Sequence, residues 1–98
     1  MGKIRAVVGT DSASRYLQQL CKHWSHRFEV DFNPERGTIA LPMGRVDLVA
    51  SDKALTVECL VDSEEQTENM QRVVAAHINR FAFREGELVF HWETLDAG

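Results

Sequence analysis

FEVDFNPERGTIALPMGRVDLVASDKALTVECLV, residues 28–61, places an apolar side chain at every second position in four successive runs. Phe28, Val30 and Phe32 form the first, Ile39 and Leu41 the second. Val46, Leu48 and Ala50 form the third, and Leu55, Val57, Cys59 and Val61 the fourth. A period of two marks a strand with one buried face. Asn33-Pro34-Glu35-Arg36-Gly37, Pro42-Met43-Gly44 and Ser51-Asp52-Lys53 separate the runs with turn residues. Connections this short join antiparallel neighbours, because a parallel pair needs a crossover of about a dozen residues. The stretch predicts a four-strand antiparallel meander.

On both sides of it the period changes. Lys3–Thr10 is short and rich in β-branched residues, and predicts a strand. Asp11 or Ser12 is a candidate N-cap. Ala13, Leu17, Leu20 and Trp24 then recur at helical spacing, flanked by Tyr16, Cys21 and Phe28. A helix is expected from about Ser12 to about Arg27. After the meander, Ser63 with Gln66 fits a capping box, and Glu64, Glu65 and Glu68 suit the positive end of a helix dipole. Met70, Val73, Val74, His77, Ile78 and Phe81 make the second apolar stripe, with Gly86 as its stop. Leu88, Phe90 and Trp92 alternate with Val89 and His91 and predict a last strand. The order is strand, helix, four-strand meander, helix, strand. The expected class is α+β, with both helices packed on one face of an antiparallel sheet. The connectivity is similar to TATA-binding-protein-like and helix-grip topologies, which speaks to architecture and not to function.

Ninety-eight residues suit one domain, taken as 1–98 with a frayed tail at 95–98. Hydrophobic residues make up 44% and charged residues 27%, a globular balance. Eleven Lys and Arg against fifteen Asp and Glu leave a net charge of -4, which argues against a nucleic-acid partner. No apolar run reaches the roughly 20 residues of a membrane span. Met1–Val8 lacks the apolar core and cleavage site of a signal peptide, so a cytoplasmic location with reduced Cys21 and Cys59 is expected.

The chemistry-bearing residues are few. His23 and His26 stand three apart on the first helix, spacing that lets two imidazoles face one way. No acidic residue of that helix stands beside them, and neither HExxH nor CxxC occurs. They read first as solvated helix histidines, then as partner or ligand contacts, and as weak metal candidates. His77 lies inside the second apolar stripe, where its ring nitrogens need partners. It reads either as a satisfied core histidine or as the wall of a pocket between the helices, near His23. Arg80 and Arg84, four apart near a helix C-terminus, suit the negative dipole end. With His23, Arg27 or Lys22 they could also form a carboxylate or anion site. Both cysteines read as buried, inert thiols. No nucleophile elbow and no glycine-rich phosphate loop is present.

Three strings carry a family resemblance. Ser14 to Phe28 (SRYLQQLCKHWSHRF), His77 to Glu85 (HINRFAFRE) and Val89 to Trp92 (VFHW) look like the bacterial family called domain of unknown function 2218. The likeness covers essentially the whole chain, through Tyr16, Leu20, Cys21, His23, His26, His77, Arg80, Phe81 and Arg84. It departs at Gly86, which reads as an insertion that loosens the end of the second helix. The resemblance implies a small bacterial protein without assigned catalytic residues, and an association with siderophore-interacting modules that hints at iron metabolism. The first expectation is a non-enzymatic binding module without a cofactor, a monomer or weak homodimer. Its anionic small molecule or protein partner would meet His23, His26, His77, Arg80 and Arg84. The second is an iron, haem or siderophore-related accessory protein with histidine ligands. An enzyme using His23 or His77 as general base ranks last, for want of a visible acid partner or nucleophile.

Overall fold

The computed structural model describes residues 2–95. Its elements are β1 (Gly2–Gly9), α1 (Ala13–Ser25), β2 (Glu29–Phe32), β3 (Arg36–Leu41), β4 (Gly44–Ala50), β5 (Ala54–Val61), α2 (Thr67–Phe81) and β6 (Glu93–Leu95). Single 3-10 turns precede and follow α2, at Glu64–Gln66 and Phe83–Glu85. The strands form one six-stranded sheet in the order β2-β3-β4-β5-β1-β6, antiparallel at every pairing. The chain is α+β, as its hydrophobic periods predict. The meander lies in sequence order, and β1 closes onto its last strand with Ile4 opposite Cys59 and Val8 opposite Leu55.

Alternation fixes which face is covered. Ile4, Ala6, Val8, Ile39, Leu41, Val46, Leu48, Leu55, Val57, Cys59 and Val61 are all buried, and within each strand they share one parity. Helix α1 crosses β2 to β5 on that face, and α2 packs beside it against α1 and β5. Leu17, Leu20 and Trp24 of α1 and Met70, Val74 and Ile78 of α2 complete the core. Gly37 lets α1 come close: a Cβ there would stand 2.7 Å from the Cys21 sulfur.

The opposite parity forms an uncovered face crossed by ion pairs, Lys3–Glu58 at 3.4 Å and Arg45–Asp47 at 3.3 Å. Leu60 lies on it between Arg45 and Lys3 in register. Val89 is exposed but lies outside the sheet.

The last strand is displaced from its expected place. Residues 86–92 make no ladder, and β6 begins only at Glu93, pairing Lys3 with Leu95. The Asn79 side chain explains the shift. Its amide donates to the Leu88 carbonyl at 3.3 Å and its oxygen accepts from the Leu88 N–H at 2.7 Å. The segment is thus tied to α2. Leu88 is buried and Phe90 and Trp92 are half-buried, so the alternation is real but records burial and not strand pairing. Leu95, expected to fray, is the last residue of β6; the rest of the expected tail, 96–98, lies outside the described residues.

The expected caps also differ. Neither Ser12 nor Ser63 makes a side-chain cap bond; Thr10 Oγ1 accepts from the Ser12 N–H, and α2 begins at Thr67 after the 3-10 turn. Gly86 does terminate that region, at φ 81°. No helix among the described residues is long and apolar enough to cross a membrane.

Candidate functional site

The two helices meet along a seam of rings. The His23 ring stands 5.6 Å from that of His77, tilted by 43°, and 6.1 Å edge-on from Phe81. Trp24, on the core side of α1, stands 5.0 Å from His77. His77 and Phe81 are one helical turn apart, so one face of α2 presents both to His23. His77 is half-buried, and its Nδ1–H donates to the Val73 carbonyl at 2.7 Å. That bond satisfies one ring nitrogen and leaves Nε2 for the seam. His77 is therefore neither a sealed core residue nor a free surface one. Its ring meets that of His23, while the adjoining cleft is lined by neither histidine.

The other predicted residues divide. His26 is exposed beyond the last turn of α1 and forms no ring contact with His23 or His77 among the described residues. Arg80 is exposed in the last turn of α2, one turn from His77, where its charge suits the helix dipole. Arg84 lies in the following 3-10 turn, its guanidinium 5.8 Å from the Phe83 ring centre.

Beside the seam a cleft of about 290 Å³ opens between α1 and the end of α2, lined by Arg15, Gln19, Phe81, Phe83 and Arg84. Arg15, Gln19 and His23 recur at steps of four, one flank of α1. The cleft thus has an aromatic floor, two guanidiniums and an amide, and Phe81 alone connects it to the histidine pair. Neither Arg15 nor Arg84 has an ion-pair partner among the described residues. Arg84's neighbour Glu85 is engaged elsewhere: its carboxylate accepts from Thr10 Oγ1 at 2.9 Å and from the Tyr16 hydroxyl. Burial and the adjacent carboxylate together raise the Tyr16 phenol above its ordinary pKa.

Arg15, Gln19, Phe83 and the Tyr16–Glu85 contact are absent from the sequence reading of the site. The step of four along α1 was the available signal for the first two. Nothing in the sequence pairs Tyr16 with Glu85. A larger groove, about 550 Å³, runs along the other flank of α2 past Arg72, Phe90 and Trp92, and no predicted site residue lines it. No three His, Cys, Asp or Glu side chains among the described residues stand together as a metal set. Cys21 and Cys59 are buried, and desolvation pushes their thiols up to about 11 and about 12. They remain protonated and unreactive at neutral pH.

The chain is similar to PA4090 from Pseudomonas aeruginosa, whose structure was solved by NMR. The two share 36% identity over 95% of this chain and 96% of the other, with a TM-score of 0.80. No curated protein matches. The family model described as an uncharacterized protein conserved in bacteria, DUF2218, matches residues 5–93. That span holds both helices, the meander and every residue of the seam and cleft, and the chain belongs to this bacterial family.

Proposed function

We propose that the protein is a non-enzymatic binding module that takes a small anion in the cleft between α1 and the end of α2. One observation carries the reading: Arg15 and Arg84 line the same cleft without an acidic partner among the described residues, while Glu85 is held by Tyr16 and Thr10. Guanidinium groups match carboxylate and phosphate geometry. A space of about 290 Å³ suits a small ligand rather than a protein surface. The cleft is open and both arginines are exposed, so binding is expected to be modest and to weaken with added salt.

A metal-chelate reading has one observation in its favour, the facing rings of His23 and His77. Two imidazoles without a third ligand make a weaker basis than two unpaired guanidiniums over a cleft.

The test is a titration of ¹⁵N-labelled protein with sodium acetate and with phosphate at constant ionic strength. Saturable shifts confined to Gln19, Phe83, Arg84 and their neighbours are expected, weakened about tenfold in Arg84→Gln. Shifts scattered over the surface, or unchanged by Arg84→Gln, refute the reading. Zinc and iron(II) salts added to the same sample examine the second reading through the His23 and His77 ring signals.

A further inference from the structure

Resting on that anion-binding reading, we infer that the ligand is a small aromatic carboxylate, held by its charge at Arg15 and Arg84 and by its ring on Phe81 and Phe83. The polar wall explains only half of the cleft. Its floor is Phe81, half-buried, and Phe83, which at 71% exposure is the most exposed large apolar side chain among the described residues. A phenylalanine left in water at the rim of a cleft gains by being covered.

The rings also favour a flat occupant. Trp24, His77, His23 and Phe81 follow one another at 5.0, 5.6 and 6.1 Å, none of them in a parallel stack. Of these rings Phe81 reaches the cleft, and with Phe83 it presents ring edges and faces to which another aromatic ring adds by offset or edge-on packing. The Arg84 guanidinium stands beside the Phe83 ring, so the ring of a ligand whose carboxylate pairs with Arg84 lies close to that of Phe83. Inorganic phosphate would use the guanidiniums and leave both phenylalanines bare. An aliphatic acid would cover them without the ring–ring term. Gln19 offers an amide as a further polar contact.

The experiment compares benzoate, cyclohexanecarboxylate, acetate, phosphate and benzamide by NMR titration of the full chain. Benzoate is expected to bind about threefold or more tighter than cyclohexanecarboxylate, tighter still than acetate and phosphate, and with benzamide far behind. Phe83→Leu, at an exposed position, is expected to keep the fold but to abolish the preference for benzoate over cyclohexanecarboxylate. Benzoate no tighter than acetate or cyclohexanecarboxylate overturns the aromatic ligand and leaves the anion site standing. Benzamide equal to benzoate overturns the anion site itself. No saturable shift with any of the five removes both.

Discussion

The Tyr16 hydroxyl donates to the carboxylate of Glu85, 69 positions further along the chain. Tyr16 is in the second turn of α1, and Glu85 ends the 3-10 turn after α2. Thr10, at the end of β1, donates to the same carboxylate. One acidic group thus fastens the exits of β1 and α2 to the start of α1. It also keeps that charge off the two arginines of the cleft.

Glu85→Ala is expected to destabilise the protein by about 1–3 kcal/mol, because it strands the buried Tyr16 hydroxyl without an acceptor. Tyr16→Phe removes the donor but leaves Glu85 bonded to Thr10, and should lose only about 0.5–1.5 kcal/mol. Urea unfolding of the two variants measures both. A Tyr16→Phe effect as large as that of Glu85→Ala would mean that the hydroxyl's orphaning is not what matters.

Gly37→Ala is expected to destabilise by about 1–3 kcal/mol, since its Cβ would meet the Cys21 sulfur at 2.7 Å. Cys21→Ala removes that obstacle. In the double variant the Gly37→Ala penalty should shrink by about 1 kcal/mol or more. Additive effects of the two changes in a double-mutant cycle would show that the strain lies elsewhere.

Stability should fall as pH rises above 9. Both thiols titrate at 9.0 when unfolded, but at about 11 for Cys21 and about 12 for Cys59 in the fold. Between those limits the unfolded chain has released protons that the folded chain retains, so alkali favours unfolding by about 1.4 kcal/mol per pH unit for each thiol. Tyr16 adds to the loss from its ordinary value of 10.0 upward. Denaturant unfolding from pH 8 to 11 should show the decline, with a shallower slope in Cys59→Ala. A flat profile would mean that the thiols are not desolvated.

Asn79→Ala should free the segment before β6, because both Leu88 backbone bonds in the fold end on that side chain. Amide exchange at Leu88 is expected to accelerate about tenfold or more, with β3 and β4 unchanged. Unchanged Leu88 protection would place the anchor elsewhere, in the packing of Leu88 itself.

The meander and both helices were legible because burial imposes the periods of 2 and 3.6, and residues 28–61 switch between run and turn without ambiguity. The 88–92 segment misled for the same reason. Leu88, Phe90 and Trp92 alternate because they face the core, yet a side-chain amide from α2, and not a neighbouring strand, holds the backbone at Leu88. His23 and His77 could be placed near each other in advance, since His23 sits on the flank of one helical stripe, His77 lies inside the other, and both helices are expected on one sheet face. His26 could not be separated from His23 by spacing alone, because its position depends on where α1 ends. The Tyr16–Glu85 bond joins residues with no periodic relation, and only the packed fold brings them together. Arg15 and Gln19 join the cleft only because the end of α2 stands opposite them.

The shared helix face is tested most directly by a NOESY spectrum of the aromatic protons with the histidine signals assigned. Cross-peaks from His23 to the rings of both His77 and Phe81 are predicted, with none from His26 to His77. A spectrum in which His23 shows no contact with either ring would separate the two helices and leave the cleft between them without walls.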